Sequence, residues 1–248
     1  MSKVKIEPHA DVAVLRLANG VTNAISPELL DDLKDALNHA KEEFKGLILA
    51  GGTKFFSIGF DLPTLLQLER PAMTDFYFHF NRTALDLYTV PLPTACAISG
   101  HAIAGGTILA LTADFRFASS GRKLMGLNEV KIGVPVPYLA DLMLRQIVGD
   151  RAATELNYSG EFVETEQARK IGLLDDVCPP EELERKAIEK VASLAGLPPY
   201  GFNLIKENRV EEIRSRFKEK GSAKIDLFLN CWFDPAVQEL LKEAAKKF

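Results

Sequence analysis

Apolar positions along the chain follow two rhythms, and their alternation predicts the order of elements. Val12-Ala-Val-Leu-Arg-Leu17 reads as a strand. After Asn23-Ala24, Ser26 can cap a helix with Pro27 at its first position, and Leu29, Leu30, Leu33, Leu37 and Ala40 share one face at 3.6-residue spacing. That helix is expected to end near Phe44. Gly46-Leu-Ile-Leu-Ala50 reads as a short buried strand closed by Gly51-Gly52. A loop from Phe55 to Asp61 leads into helix broken near Pro71, and Phe76, Phe80, Leu85 and Tyr88 mark a second helical segment. Thr94 to Ser99 has the composition of a strand buried on both faces, and a glycine pair then opens a helix near Gly106. Asp114 to Ala118 alternates as a strand. Beyond Pro137 the pattern is mostly helical, with a late strand at Leu174 to Cys178 and Pro179-Pro180 before the next helix. Strands alternating with helices, then helices alone, describe an α/β chain with a helical C-terminal part.

One stretch of this pattern invites a different reading. From Leu87 to Ala113, 27 consecutive residues carry no Asp, Glu, Lys or Arg, long enough to cross a bilayer. The window contains Pro91, Pro93, His101, Gly100, Gly105 and Gly106, and small residues stand where lipid-facing Leu and Phe would be expected, so two buried elements joined by a tight loop fit better than a membrane span. Composition agrees with a globular chain: 248 residues, 47% hydrophobic, 26% charged, with a formal net charge of −4. Mild acidity without a basic run beyond Lys246-Lys247 leaves no electrostatic footprint for nucleic acid or an anionic membrane. Cys96, Cys178 and Cys231 fit neither a disulfide framework nor a zinc site and are expected to be buried thiols. The charged N-terminus resembles neither a signal nor a transit peptide, and the terminal Ala-Lys-Lys-Phe is no recognised address, so a cytoplasmic location is expected.

Chemistry narrows by exclusion first. His9, His39, His79 and His101 show no paired metal-ligand spacing, and no metal is expected. No Gly-x-Ser-x-Gly elbow, Walker loop or Gly-x-Gly-x-x-Gly occurs. What remains is a pair of loops, Phe55-Phe-Ser-Ile-Gly-Phe-Asp-Leu62 and Ser99-Gly-His-Ala-Ile-Ala-Gly-Gly-Thr107, each following a strand. Their glycines let backbone approach a ligand closely, and a helix opening near Gly106 directs free N–H groups forward. Two such amides converging on one oxygen would form an oxyanion hole; taken singly, each loop is also an ordinary turn.

Five motifs, in order and at approximate spacing, resemble the crotonase or enoyl-CoA hydratase/isomerase superfamily. They are Asn23-Ala24, Phe56-Ser-Ile-Gly-Phe-Asp61, Gly100-His-Ala-Ile-Ala-Gly-Gly106, Ala113-Asp-Phe-Arg-Phe-Ala118, and Gly126-Leu-Asn-Glu129 through Gly133. The resemblance implies an α/β spiral of β-β-α turns over residues 1–195 and a C-terminal helical trimerisation region over 196–248. It implies a homotrimer or a dimer of trimers acting on an acyl-CoA thioester, with coenzyme A entering as part of the substrate and no other cofactor. It also implies that the amides of Phe60 and Gly105 hold the thioester oxygen. Ser57, Ile58, Gly59, Asp61, Leu62, Gly106, Ile108 and Leu127 are expected around the substrate, with the Phe60 ring lining the acyl pocket.

The carboxylates distinguish the reactions. At the position in the helix after the glycine pair where hydratases carry Glu, this chain has Ile108; at the second family position it keeps Glu129. Hydration needs one group to activate water and a second to position it or deliver a proton, whereas one base facing an oxyanion hole suffices to shuttle a proton. The chain therefore looks most like the mitochondrial-type 3,2-enoyl-CoA isomerases, which share the Gly-Leu-Asn-Glu form and resemble the Asn230-Cys-Trp-Phe-Asp-Pro235 segment. Glu129 is the expected catalytic residue, its pKa raised by an apolar pocket of which Leu127, Ile108 and Val130 are suitable members. Asp61 is expected to cap a helix, Asp114 to fix the start of a strand, and His101 to touch ligand without acting as a catalyst. Another crotonase-type acyl-CoA reaction, or a silent acyl-CoA-binding oligomer, remains open at this stage.

Overall fold

A computed structural model describes residues 2–246. Lys247 and Phe248, and with them part of the terminal Lys pair and of the C-terminal address, lie outside the described residues. The chain opens with β1 (Val4–His9), β2 (Val12–Leu17), α1 (Pro27–Glu43), β3 (Gly46–Ala50) and β4 (Phe55–Ser57). It continues through α2 (Leu62–Leu65), α3 (Arg70–Tyr88), β5 (Thr94–Ile98), β6 (His101–Ile103), α4 (Gly105–Leu111), β7 (Phe115–Ser119) and β8 (Leu124–Gly126). After a 3-10 turn at Glu129–Ile132 come α5 (Tyr138–Ser159), β9 (Val163–Glu164), α6 (Thr165–Lys170) and β10 (Asp176–Cys178). Three helices close it: α7 (Leu183–Ala195), α8 (Pro199–Trp232) and α9 (Pro235–Ala245).

The strands form two sheets, ordered β1-β2-β3-β5-β7-β10 and β4-β6-β8-β9. The pairs β3 and β4, β5 and β6, and β7 and β8 each place one strand in the large sheet and the next in the small one, and neighbours among them run parallel. This is a spiral of β-β-α turns. At the edges, β1 pairs antiparallel with β2 and β9 antiparallel with β8. Val12, Val14, Ile48, Ala95, Ala97 and Phe117 on one face of the large sheet pack with Leu183, Ala187 and Val191 of α7. The other face meets α1 and α3 in the main core. Burial on both faces explains why β5 is a continuous apolar run and not an alternating one.

The local signals at α1 act as read: Ser26 Oγ accepts from the Leu29 amide, Pro27 opens the helix and Phe44 ends it. The helix is broken ahead of Pro71 as expected: α2 ends at Leu65 and Pro71 stands in the first turn of α3. The two amide-presenting loops are each a short strand of the small sheet followed by a turn, which period-2 reading cannot detect in three residues. β1 is a further strand, alternating Val4-Lys-Ile-Glu7 at the sheet edge, where Pro8 is tolerated. Cys96 and Cys178 are buried, but Cys231 is half-buried, since it lies on α8, a helix with a mostly exposed surface.

α8 is tied to the sheet by Lys206, whose Nζ donates to the Leu92 carbonyl at 2.7 Å and to Asp114 Oδ2 at 2.8 Å. The same Asp114 oxygen accepts from the Thr94 amide and hydroxyl, so it joins the starts of β5 and β7. α9 packs on α2 and on the 3-10 turn. Among the described residues no helix is long and apolar enough to cross a membrane, and the charge-free window is divided among the end of α3, β5, β6 and α4.

Candidate active site

The first turn, Ile58 to Asp61, is held from behind by Asn23. Its Nδ2 donates to the Phe56 carbonyl at 3.2 Å, while its backbone carbonyl accepts from Ser57 Oγ at 2.7 Å. Ser57 Oγ in turn accepts from the Gly59 amide. Gly59 has φ +96°, a region that disfavours any side chain. On either side of Phe60, the Gly59 carbonyl accepts from the Ile25 amide at 2.7 Å and the Asp61 amide donates to the Ile25 carbonyl at 3.0 Å. The Phe60 amide between them has no acceptor among the described residues.

The second turn passes through Ala104, at φ 47° and ψ −116°, into α4. Non-glycine backbone in such a region is strained by about 1–3 kcal/mol and persists where its surroundings fix it. Here the Ala104 amide donates to the Gly126 carbonyl at 2.9 Å, and Thr107 Oγ1 bonds both the Ala102 and Gly126 carbonyls. Gly105 begins α4, so its amide has no partner within the helix. The two turns touch. A Cβ added to Gly59 would lie 3.0 Å from the Gly105 nitrogen, and one added to Gly106 would lie 2.2 Å from the Ser57 carbonyl oxygen. Only glycine backbone permits this approach.

Glu129 follows β8 as the first residue of the 3-10 turn and is 5% exposed. Its Oε2 has no hydrogen-bond partner among the described residues. Burial pushes its pKa up to about 7, against a smaller opposing pull from its own backbone amide. Gly133, which ends that turn, sits under Val237 and Leu240 of α9, so the last helix braces the segment carrying Glu129.

A cavity of about 390 Å³ joins these parts. Ile58, Phe60, Leu62, Gly105, Ile108 and Glu129 line it, so six of the expected residues come together. Five do not line it: Ser57 and Gly59 form the turn behind Phe60, Asp61 caps α2 through the Thr64 amide, Gly106 faces Ser57, and Leu127 is in the core. Val130 is exposed and also outside the cavity, because the 3-10 turn rotates it away from Glu129. His101 lines the cavity beside Phe55, and its Nδ1 accepts from the Leu124 amide at 3.0 Å. Partial burial, then the charges of Lys123, Arg122 and Lys54, lower its pKa and favour the neutral ring.

An aromatic wall escaped sequence reasoning because its members are far apart in the chain. The Phe60 ring meets Phe80 at 4.7 Å, Phe76 at 5.2 Å and Tyr77 at 6.3 Å between centroids. Tyr77 stacks on Phe228 at 3.9 Å, and Phe228 lies 6.1 Å from Trp232. Phe228, Trp232 and Ala244 also line the cavity, which α8 and α9 therefore help to close. Helical spacing of Phe228 and Trp232 was the available signal.

Residues 7–243 match the enoyl-CoA hydratase/isomerase family. The chain is 28% identical over 246 residues to human mitochondrial enoyl-CoA delta isomerase 1, covering 97% of this chain and 82% of that protein. The crystal structure of human mitochondrial delta3-delta2-enoyl-CoA isomerase superposes with a TM-score of 0.94 at 27% identity, over 99% of this chain and 97% of that one. An enoyl-CoA hydratase from Bacillus anthracis gives a TM-score of 0.80 at 25% identity, over 99% of this chain and 90% of that one. Relatives named as isomerase and as hydratase thus share this architecture.

Proposed function

The chain belongs to the enoyl-CoA hydratase/isomerase family, and on that footing we propose that it is a 3,2-enoyl-CoA isomerase using Glu129 as its single proton carrier. The observation that carries this reading is the pairing of a buried Glu129 carboxyl, whose Oε2 has no partner among the described residues, with hydrocarbon at Ile108 in one cavity. In the proposed reaction the thioester oxygen accepts from the Phe60 and Gly105 amides. Glu129 removes a proton from C2 of a 3-enoyl-CoA, the electron pair moves onto the oxygen as a dienolate forms, and the same carboxyl returns the proton at C4. The product is the conjugated 2-enoyl-CoA, and Glu129 ends as it began.

Each part has a physical reason. A thioester α-proton is too weakly acidic to leave unless the developing oxyanion is stabilised, and one well-placed donor contributes about 2.7–4 kcal/mol to such a transition state. A carboxyl with a pKa of about 7 is a stronger base than an ordinary glutamate and still half-ionised near neutrality. Hydration requires a second group to position water, and the Ile108 side chain can neither donate nor accept a hydrogen bond. Exposed Tyr200, Leu204 and Ile205 on α8 support assembly as a homotrimer or a pair of trimers, which light scattering on the purified protein tests directly.

The decisive experiment mixes the protein with 3-cis-hexenoyl-CoA and follows conjugated enoyl thioester in the ultraviolet, with crotonyl-CoA in water as a parallel hydration assay. Conjugation without hydration is expected. Glu129→Gln should lower conjugation by more than about 10³-fold while acyl-CoA binding stays within a few-fold. Turnover retained in that variant would remove Glu129 from the mechanism.

A further inference from the structure

The turn that carries the Gly105 amide and the strand that leads to Glu129 meet at one buried hydroxyl. Thr107 is 1% exposed. Its Oγ1 accepts from the Gly126 amide at 3.0 Å and donates to the Ala102 carbonyl at 2.6 Å, with the Gly126 carbonyl a second acceptor at 3.1 Å. One side chain therefore joins α4 to both β6 and β8. A hydroxyl can receive an N–H and donate to a carbonyl at once, and the branched Cβ of threonine leaves it few rotamers. Valine would fill the same space but present hydrocarbon to the Gly126 amide and the Ala102 carbonyl.

The place of this clasp gives it a consequence for chemistry. Gly105 stands two residues before Thr107, and Glu129 three residues after Gly126. Gly126 is gripped on both sides, its amide by Thr107 and its carbonyl by the Ala104 amide at 2.9 Å as well. A slide of α4 against β8 would move the Gly105 nitrogen relative to Glu129, because the chain from the clasp to either group is too short to absorb it. The Phe60 amide would stay in place, since its turn is held by Asn23 and Ile25. We propose that Thr107 is a positioning residue whose hydroxyl fixes the Gly105 amide in register with the Glu129 carboxyl. This rests on the thioester placement given above, but not on isomerisation. Reacting groups displaced by about 1 Å lose about 10²-fold in rate, so such a clasp acts on turnover through geometry.

Thr107→Val removes the hydroxyl at nearly constant volume, and Thr107→Ser keeps it while removing the methyl. Both are compared with the wild type under conditions where urea midpoints show each protein folded. Thr107→Val should lower kcat for 3-cis-hexenoyl-CoA about 10- to 100-fold and keep KM within about threefold, whereas Thr107→Ser should stay within about threefold of the wild type in both. A second readout needs no turnover: the infrared difference spectrum of bound hexanoyl-CoA labelled with 13C at C1. Two amide donors should pull its carbonyl band below that of the free ester. Thr107→Val should lose about half of that shift, as when one of two donors is misplaced, and Thr107→Ser should retain it. A lowered urea midpoint in Thr107→Val with kcat and the carbonyl band unmoved would mean a role in stability alone and overturns the proposal. Loss of either readout in Thr107→Ser also overturns it, a test that holds even if Thr107→Val does not fold. If the wild type does not isomerise yet the band behaves as described, the isomerase reading fails and the positioning role stands. No shift of the band in the wild type overturns the thioester placement and this proposal with it.

Discussion

Replacing Glu129 by Gln should stabilise the protein, and by an amount that depends on pH. Burial raises the folded-state pKa of Glu129 from 4.5 to about 7, so the folded protein holds this proton more tightly than the unfolded chain does. Below about pH 4.5 the side chain is protonated in both states, close in shape and charge to glutamine, and the variant should match the wild type. As the pH rises from about 4.5 to 7, the unfolded chain releases the proton first and the wild type loses stability by roughly 1.4 kcal/mol per pH unit. Above about pH 7 the loss levels off near 3 kcal/mol, the order of magnitude set by the shift. Urea unfolding of wild type and Glu129→Gln at about pH 4.5, 6, 7 and 8.5 measures this, because titrations common to both proteins cancel in the difference. Parallel stability curves across that range would refute the claim that burial holds the Glu129 proton.

The same carboxyl must be ionised to accept a proton, so kcat/KM for 3-cis-hexenoyl-CoA should rise with pH through about 7 and then level off; a flat profile between pH 5.5 and 8.5 would contradict this. Ile108→Glu should add measurable hydration of crotonyl-CoA and lower stability by a few kcal/mol, since Ile108 is 2% exposed; ultraviolet loss of the conjugated ester and urea midpoints report the two effects. Gly106→Ala should cost about 3 kcal/mol and reduce turnover, because its Cβ meets the rigid Ser57 carbonyl at 2.2 Å; an unchanged urea midpoint would show that the turns can separate freely. Lys206→Ala should destabilise by about 3 kcal/mol by leaving Asp114 without its buried cation, again read from urea midpoints.

Elements whose signals are local were legible in the sequence. α1 announces its cap, its proline and its apolar face within its own residues, and the buried run of β5 identifies a covered strand. Strands of two or three residues such as β4, β6 and β9 have no period to read, and their place is decided by pairing with distant segments. At the site, the glycines and Glu129 could be picked out through motifs in register, while burial of the carboxyl and the positive φ at Ala104 are properties of the folded surroundings. Asn23 stood out as a motif residue, yet its task of holding the Phe56–Gly59 turn appears only when the two segments meet. Leu127 and Val130 were plausible by character and position, but apolar character does not tell which side of a turn a residue faces.

The cavity draws its walls from Phe55 near the first spiral turn to Ala244 in the last described helix. No contiguous stretch of chain can therefore assemble it, and a folding intermediate lacking α8 and α9 would have Glu129 without the chamber around it. Contacts of such long sequence separation are made late and lost together. Ligand capture consequently reports completion of the fold, and a bound acyl-CoA should raise the global unfolding temperature with its concentration, not merely quiet one region.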